Sequence, residues 1–531
     1  MGARVFLIGL DGATFTVLDP LMERDVMPFL RDFTARGVRA PLRTIMPPLT
    51  PPAWTSLVTG LRPGRHGVFD FFQKESADSE YYTLATAQDI HAPTIWSLAS
   101  EAGRKVVSLN FPLMFPPPEI DGWVVPGGWM PWRQLRLGCH PPGLFEELKQ
   151  LPSFDPRELS LDMQLEAKAI EGCEADEHAN WIRLHARRER RWFDILRHLL
   201  AKDEAADLVA VMFDGPDKLQ HLCWRFIDST SRPEHPEPWE QEAIDLCEDY
   251  FRELDGMLAQ IVELAGPEAT VVLASDHGFG PTWDVFYVNR WLEEHGYLAW
   301  RDTDAGGGDA GTAPHVGFAQ ITRHINDLDW SRTVAYAATP SSQGINLVRT
   351  PPDGSAGVPP ERRAELLDEI AEQLRGEPLL LDVFTRAQAF PGPHGDRAPD
   401  LSLVLADGAA VSILRSDALV RRREQPNGNH RWQGILLAAG PEIRKGIRCD
   451  EVSIVDVAPL VLHGLGIPVP DNLDGNVPTQ LLEPEALELR PPSYAPAGPA
   501  PAVPGAVTAS DYDREDEATI VDRLRALGYV E

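Results

Sequence analysis

The sequence has few of the features that mark secreted, membrane-spanning or nucleic-acid-binding proteins. Its 531 residues include only five cysteines without CxxC spacing, which argues against a disulfide framework or a thiolate zinc site. Acidic residues outnumber basic ones by 80 to 49, and the net charge of −31 disfavours nucleic-acid polymers and anionic membranes. Apolar runs are too short for a membrane helix or a signal-peptide core. We therefore expect a cytoplasmic protein with reduced thiols and with neither nucleic-acid nor membrane partners.

Short apolar runs alternate along the chain with longer segments that favour helix. This alternation is typical of an α/β protein with a largely parallel sheet. A charged stretch at about 142–202 predicts a helical cap insertion, and residues 359–375 predict an amphipathic helix. The predicted strands lie at 5–10, 105–109, 207–213, 270–274, 401–405 and 434–438.

Three segments fall outside this pattern. Residues 302–314 are rich in Gly and Asp and predict an exposed loop. Residues 483–510 are rich in Pro and Ala, as expected of an extended linker. In 511–531, Ile520, Leu524 and Leu527 recur at helical spacing and predict an amphipathic helix. The predicted organisation is a domain over 1–482, a linker over 483–510 and a C-terminal helix over 511–531.

Polar side chains follow several of the predicted strands. Asp11 comes directly after the first strand, and Asp276 and His277 follow the strand that ends at 274. Asn110 and Asp214 occupy equivalent positions after two others. Because ligands bind at the carboxyl ends of the strands in open α/β sheets, these segments point to one rim.

A second pair of candidate ligands is spaced for a helix. Asp217 and His221 are four residues apart, so on a helix they share a face and can hold one metal ion. Asp214 is an alternative with less suitable spacing. Taken alone, the pair is more simply explained as a solvated Asp with a surface His. His430 lies in a loop before the last predicted strand and, by itself, would more often be structural or exposed.

Thr50 adds a hydroxyl at the start of a short predicted helix that ends at Gly60. Helix capping explains a Thr before proline, since Pro is tolerated at the first helical position. The same geometry places the hydroxyl where a neighbouring cation can lower its pKa and let it attack phosphorus. Three Asp, three His and one hydroxyl match a two-metal phosphoryl-transfer hydrolase. The set is Asp11, Thr50, Asp217, His221, Asp276, His277 and His430.

These motifs resemble the alkaline phosphatase superfamily, most closely its type I phosphodiesterase and nucleotide pyrophosphatase branch. The resemblance implies an alkaline-phosphatase-like three-layer sandwich with a mostly parallel central sheet. The motifs that carry it are LIGLDG at 7–12, TPPAWTSLVTG at 50–60, RHGV at 65–68, DKLQH at 217–221, SDHG at 275–278, GNH at 428–430, DVAP at 456–459 and LGIP at 465–468.

The resemblance also implies a division of the ligands between two divalent cations, zinc or alternatively manganese. Asp217, His221 and His430 would hold one, and Asp11, Asp276 and His277 the other, with Thr50 bridging toward the second. Thr50 would form a phospho-threonine intermediate that water then hydrolyses. The substrate would be a small phosphorylated compound, such as a nucleotide or a glycan-linked ester, cleaved as a monoester or a diester.

One position departs from the family pattern. Nucleotide pyrophosphatases have an Asn shortly after the His-Gly motif to bind a phosphoryl oxygen, and Phe71 occupies that position here. The remaining candidates for this contact are the amide of Asn110 and the charge of Arg431. The departure leaves diesterase specificity open.

Two other functions compete with hydrolysis. A phosphotransferase or phosphomutase of the same superfamily would keep the metal ligands but pass the phosphoryl group to an alcohol. A non-catalytic scaffold would bind a partner through the former active site or through the C-terminal helix. Loss of a metal ligand or of the nucleophile would indicate such a scaffold. Every one of these residues is present.

Overall fold

The computed structural model describes residues 4–498, apart from 129, 161, 170–172, 203–205, 302–326, 340 and 342. These residues form two compact units, where the sequence predicted one domain. The first unit comprises the described parts of Met1–Arg62, Thr86–Gly280 and His430–Ala506. The second comprises those of Pro63–Ala85 and Pro281–Asn429.

The strands of both units are numbered along the chain. They are β1 Val5–Leu10, β2 Val38–Arg43, β3 Phe72–Lys74, β4 Tyr82–Leu84, β5 Val106–Leu109, β6 Gly122–Val125, β7 Leu208–Phe213, β8 Thr270–Ala274, β9 Gly278–Tyr287, β10 Ala335–Tyr336, β11 Gly344–Leu347, β12 Leu380–Thr385, β13 Leu401–Leu405, β14 Ala409–Ser412, β15 Val420–Arg431, β16 Gln433–Ala439, β17 Ile447–Arg448, β18 Val452–Ser453, β19 Val469–Pro470 and β20 Tyr494–Ala495.

The α-helices are numbered in the same way. They are α1 Phe15–Glu23, α2 Pro28–Arg36, α3 Thr50–Thr59, α4 Pro63–His66, α5 Ile95–Glu101, α6 Leu135–Gly138, α7 Leu144–Leu148, α8 Pro156–Leu159, α9 Met163–Ala169, α10 Glu174–Lys202, α11 Gly215–Ile227, α12 Pro238–Ala265, α13 Val288–Glu294, α14 Pro360–Leu374, α15 Arg386–Ala389, α16 Val457–Gly464 and α17 Pro484–Leu489.

The first unit is built on a mostly parallel sheet in the order β17-β2-β16-β8-β1-β7-β5-β6, with β18 also paired to β2. Strand β1 runs parallel to both its neighbours, β7 and β8. Strand β16 runs antiparallel to β8 and β2. All six residues of β1 are buried, which explains why it is a continuous apolar run rather than an alternating one.

Helices cover both faces of this sheet. On one face, α3, α5 and α16 pack on each other over Val5 and Leu7. Phe6 and Ile8 point to the opposite face, because side chains alternate along a strand, and they too are fully buried. Helices α2, α10, α11 and α12 contact each other, with α10 on β7 and α11 on β1. The predicted three-layer α/β fold is confirmed.

The second unit has a core of its own. Its sheets are β10-β11-β13-β12, β14-β9-β15 and the hairpin β3-β4. Helices α13 and α14 pack there around Trp291, Trp330 and Tyr336. The predicted strand at 401–405 exists as β13, but it belongs to this antiparallel sheet and not to the central parallel one.

The remaining predicted segments differ in outcome. Within 142–202, helices α7 to α10 form, and the predicted helix at 359–375 is α14. Within the predicted linker, α17 and β20 form in the part up to residue 498, and Arg490 is ion-paired with Glu442 while donating to His463 O at 2.7 Å. The loop at 302–314, the rest of the linker and the C-terminal helix lie outside the described residues. No helix within the described ranges is long and apolar enough to cross a membrane.

Candidate active site

The fold brings all seven predicted site residues to one edge of the central sheet, within the first unit. Asp11 follows β1, Asp276 and His277 follow β8, and Asp217 lies in the first turn of α11 after β7. Because β16 is antiparallel, the residues just before it lie at the same edge as the carboxyl ends of its neighbours. This reversal brings His430, at the end of β15, to the site.

One group of ligands consists of Asp11, Asp276 and His277, whose ligand atoms lie within 4.8 Å of one another. His277 Nε2 is 3.1 Å from Asp276 Oδ2 and 3.7 Å from Asp11 Oδ1. The backbone N–H of Gly12 donates to Asp276 Oδ1 at 3.1 Å and orients that carboxylate. All three side chains are buried.

A second group consists of Asp217, His277 and His430. Asp217 Oδ1 is 3.2 Å from His430 Nε2 and 3.4 Å from His221 Nε2. The rings of His277 and His430 stack with centroids 3.5 Å apart. His221 Nε2 is 3.1 Å from His430 Nε2, so the four residues form one continuous cluster. His277 therefore belongs to both groups, whereas the family resemblance implied that it holds only one cation.

Backbone carbonyls fix which ring nitrogen faces the site. His430 Nδ1 lies 2.7 Å from Pro48 O, and His277 Nδ1 lies 3.2 Å from Gly278 O. A carbonyl oxygen only accepts, so each Nδ1 carries the hydrogen and donates it. The Nε2 lone pair of each ring is left facing the cluster, which is the arrangement that a metal-binding histidine needs.

Thr50 lies at the start of α3 and is fully buried. Its Oγ1 is 3.3 Å from His277 Nε2, the nitrogen that both ligand groups share. The two prolines that follow have no N–H, so the helix begins without two of its usual free donors. The hydroxyl is thus the polar group that this end of α3 directs at the cluster.

Lys218 is a feature of the site that our sequence analysis did not identify. Its Nζ donates to Asp217 Oδ2 at 2.9 Å, and both side chains are fully buried. The only available signal was a lysine inside the Asp217–His221 motif, where a helical repeat places it off the ligand face. Trp54 was missed as well, and its Nε1 donates to Asp11 Oδ2 at 3.4 Å.

Burial dominates the electrostatics of the cluster. It raises the pKa of Asp276 to about 8, and burial together with the charge of Asp276 raises the pKa of Asp11 well above its ordinary value. Burial alone would also raise the pKa of Asp217, but Lys218 and His221 together hold that pKa well below its usual range. Burial lowers the pKa of His221 to about 4 and also lowers that of His277. Such opposed shifts are typical of functional sites.

The residues present fit divalent cations. Asp11 Oδ1 and Asp276 Oδ2 are buried oxygens for which no hydrogen-bond donor is in place among the described residues. Buried carboxylate oxygens without donors are costly unless a cation compensates them. Together with two histidine rings whose Nε2 faces inward, they make a nitrogen and oxygen donor set suited to zinc or manganese.

The two predicted substrate contacts have other bonds in the structure. Asn110 is buried with a φ of 66°, its Nδ2 donates to Met212 O at 2.9 Å and its Oδ1 accepts from Gly128 N at 3.0 Å. Through these two hydrogen bonds the Asn110 amide has a structural role at the end of β5. Arg431 Nη1 donates to His430 O at 2.9 Å, and its side chain packs against Gly280. Phe71, at the position of the missing amide, is buried in the second unit.

The match to a family model assigns the chain to the phosphoric ester hydrolases of the alkaline phosphatase superfamily. A sequence model described as type I phosphodiesterase / nucleotide pyrophosphatase matches residues 5–433, and the chain belongs to that metal-dependent family. No curated protein matches the sequence.

Solved structures with a similar fold include murine and human ectonucleotide pyrophosphatase / phosphodiesterase 5. The murine protein, as an inactive threonine-to-alanine variant in complex with AMP, is 16% identical with a TM-score of 0.51, over 90% of this chain and 100% of that one. The human protein has the same identity and coverage with a TM-score of 0.50. At this identity the likeness concerns the fold.

Proposed function

We propose that the protein hydrolyses small phosphodiesters or pyrophosphates at a two-metal site, with Thr50 as the nucleophile. The observation that carries this proposal is the 3.3 Å distance between Thr50 Oγ1 and His277 Nε2. It places a buried hydroxyl against the one histidine that both ligand groups share. A hydroxyl with only a structural role would not need to lie beside that nitrogen.

The reaction would proceed in two displacements. Thr50 Oγ1 attacks phosphorus, the bond to the leaving-group oxygen breaks, and the Oγ1 proton passes through solvent to that oxygen, which leaves a phospho-threonine. Water then attacks the same phosphorus, the bond to Oγ1 breaks, and one proton of the water passes to Oγ1. When bound, two cations would supply nucleophile activation and charge stabilisation for the attacking and leaving oxygens.

We divide the metal ligands between two cations according to the distances between their ligand atoms. Asp11 and Asp276 would serve one cation, and Asp217 with His430 and His221 the other, with His277 between them. Lys218 would hold Asp217 ionised and fix one of its oxygens. We propose zinc, with manganese as the alternative, because the donors are carboxylate and imidazole without thiolate.

The missing N–H donors of α3 support a dependence on cations. A helix N-terminus can stabilise phosphate through its free backbone N–H groups. Pro51 and Pro52 remove two of these, and Ala53 N donates to Leu49 O at 3.0 Å. Charge that develops on the phosphoryl oxygens must then be balanced by other groups.

A nucleotide-derived substrate is the class we favour. The murine protein of similar fold was solved with AMP, a product that a nucleotide pyrophosphatase would release. With a net charge of −31, the surface disfavours nucleic-acid polymers, so small substrates are preferred.

The test combines metal analysis with two chromogenic esters. Purified protein should contain about two zinc or manganese ions per chain and hydrolyse bis-p-nitrophenyl phosphate in preference to p-nitrophenyl phosphate. Thr50→Ala should lose at least about 1,000-fold in kcat, in line with removal of a nucleophile, whereas Thr50→Ser should keep partial activity. Thr59→Ala is the matched control, since Thr59 is buried on the same helix, where its hydroxyl donates to Thr55 O and accepts from Leu61 N.

Each alternative has a distinct outcome. Full metal content with Thr50-independent hydrolysis would exclude the nucleophile assignment. Transfer of phosphate to an added alcohol in place of water would identify a phosphotransferase. Protein without metal or activity after supplementation with zinc and manganese would overturn the proposal.

A further inference from the structure

The first turn of helix α11 is fixed from outside the helix. This turn carries Asp217 and Lys218. The first N–H groups of a helix have no acceptor within it, so capping groups or water must accept from them. The side chain of Asp214, the residue before α11, does not cap the helix, and Pro216 has no N–H. A side-chain cap for the start of α11 must therefore come from another element.

Helix α10 supplies this cap through Glu189. Glu189 Oε1 accepts from Gly215 N at 2.6 Å and from the hydroxyl of Tyr250 at 3.0 Å. Both side chains are buried, as is Gly215. A Cβ at Gly215 would lie 2.4 Å from Glu189 Oε1 and 2.2 Å from Tyr250 Oη, so this close approach requires a glycine.

A second contact with α10 lies at the end of the same turn. Trp181 Nε1 donates to Lys218 O at 3.0 Å, and both side chains are fully buried. Trp181 and Glu189 belong to the same helix. The turn between Gly215 N and Lys218 O, which includes Asp217, is thus held at both ends by α10.

The position of this turn determines how Asp217 contacts the other candidate ligands. Asp217 and His221 lie on one helix and move together, whereas His430 lies at the end of β15 and His277 follows β8. Asp217 Oδ1 is 3.2 Å from His430 Nε2 and 4.0 Å from His277 Nε2. A shift of α11 would change these two distances and leave the spacing within the helix unchanged. Groups that orient metal ligands in this way affect metal affinity.

The burial of Glu189 costs free energy, and its contact with α11 accounts for a carboxyl at this position. Burial, together with the charge of Asp214, raises the pKa of Glu189 well above its ordinary value. Glu189 Oε2 is buried and has no hydrogen-bond donor among the residues that the structure describes. An apolar side chain would avoid this cost but would offer no acceptor to Gly215 N.

We propose that Glu189 is a positioning residue for the metal site. Its bond to Gly215 N places Asp217 against His430 and so sets the affinity for the cation that this ligand group would hold. Trp181 contributes in the same way. The charged insertion that contains α10 thus helps to build the site. The inference rests on the two-metal site proposed above, but not on the identity of the nucleophile.

The test measures the zinc affinities of the purified full chain by competition with a chromogenic chelator. Glu189→Leu removes the acceptor but keeps a side chain of similar size, so one of the two zinc ions should bind about 10- to 100-fold more weakly. Glu189→Gln should bind both ions like wild type, because its amide oxygen can accept the same two bonds. Trp181→Phe keeps an aromatic ring without the N–H donor and should weaken one ion about two- to tenfold.

Asp255→Leu is the matched control. Asp255 is a buried carboxylate that also accepts from N–H groups at the start of a helix, but this helix, α2, carries none of the proposed ligands. The variant should lose stability and keep both zinc affinities. Hydrogen exchange of the metal-free proteins adds a second measurement, in which residues 215–222 should exchange faster in Glu189→Leu than in Asp255→Leu.

Unchanged affinity for both ions in Glu189→Leu and Trp181→Phe would overturn this inference alone. Equal weakening in Glu189→Leu and Asp255→Leu would overturn it as well, because a general loss of stability would then explain the result. Equal weakening in Glu189→Gln and Glu189→Leu would contradict the role of the hydrogen bond. Circular dichroism checks folding, and Trp181→Phe provides the test if Glu189→Leu does not fold. Wild-type protein that binds neither zinc nor manganese would instead overturn the proposed function, and this inference with it.

Discussion

Lys218 Nζ donates to Asp217 Oδ2 at 2.9 Å, and neither side chain is exposed to solvent. The bond engages one carboxylate oxygen and leaves Oδ1 facing His221 and His430. A buried ammonium beside a buried carboxylate keeps the latter ionised, although burial alone would favour its protonation. Asp217 is thereby ready to bind a cation through a defined oxygen.

We expect Lys218→Met to destabilise the metal-free protein by about 3 to 5 kcal/mol, because it leaves a buried carboxylate unpaired. Zinc should restore most of this loss, since a cation near Asp217 replaces the missing positive charge. Urea unfolding with excess zinc and with EDTA measures the difference.

Arg188→Met is the matched control for this prediction. Arg188 and Glu166 form another buried ion pair in the first unit, at 2.6 Å. Its loss should destabilise the protein to a similar extent, but zinc should restore nothing. If zinc stabilises both variants equally, Lys218 has no special relation to a metal site.

The number of metal ions bound per chain should depend on which ligand group a substitution affects. Asp11→Asn weakens only one group, so its metal content should fall from about two ions per chain to about one. His277→Ala affects both groups and should leave less than one. Mass spectrometry after dialysis against a weak chelator provides the count.

Asp255→Asn is the control for a buried carboxylate outside the cluster. Asp255 accepts from Phe29 N and Leu30 N at the start of α2, at 2.9 and 2.8 Å. This variant should retain both ions. Equal loss of metal from Asp11→Asn and Asp255→Asn would argue against the assigned ligands.

The sequence was sufficient to predict five strands of the central sheet, β1, β5, β7, β8 and β16, but not β2, β6, β17 or β18. Strand β1 is a continuous apolar run followed by Asp11, and β8 is followed by Asp276, so strand ends and ligands could be identified together. His430 was harder to place, because only the antiparallel direction of β16 brings it to the same edge. That direction is a property of the fold and not of the local sequence.

Other features could not be predicted because they depend on contacts between distant residues. The second unit combines 63–85 with 281–429, and its strand β13 has the same local pattern as a strand of the central sheet. Arg490 anchors a Pro-rich segment through Glu442, 48 residues away. The shared position of His277 likewise follows only from the assembled geometry.

The contact between Gly9 and Trp54 predicts a sensitive position in β1. In Gly9→Ala the new Cβ would lie 2.6 Å from the indole and 3.0 Å from Met212 Cγ, so the core must shift. We expect a loss of about 1 to 3 kcal/mol in unfolding free energy, as for other overpacked cores, together with reduced activity as Trp54 moves from Asp11.

Gly256→Ala is the control for the same substitution. Gly256 lies inside α12, and a Cβ there meets nothing within 4 Å. The change should stabilise the protein by about 0.5 to 1 kcal/mol through helix propensity, with activity unchanged. Equal effects of the two substitutions would contradict the packing argument.

Asp70 predicts a pH dependence of stability in the second unit. Its buried carboxylate accepts from Thr339 Oγ1 and Ser341 Oγ, each at 2.5 Å, yet burial outweighs these bonds and raises its pKa from 3.8 to about 6. Between about pH 4 and 6 the unfolded chain releases this proton while the folded unit keeps it. The contribution of Asp70 to stability therefore falls as pH rises through this window, by about 3 kcal/mol in all.

Asp70→Asn removes the titration while it keeps the shape and the hydrogen-bonding capacity of the side chain. The stability of wild type relative to Asp70→Asn should fall steadily from pH 4 to pH 6 and stay constant above about pH 7. Denaturant unfolding of both proteins across this range gives the difference, in which the titration of all other carboxylates cancels. A difference that rises with pH would mean that Asp70 is stabilised as a carboxylate, so its two hydroxyl donors would outweigh burial. A flat difference would mean that Asp70 has the same pKa in the folded and unfolded protein.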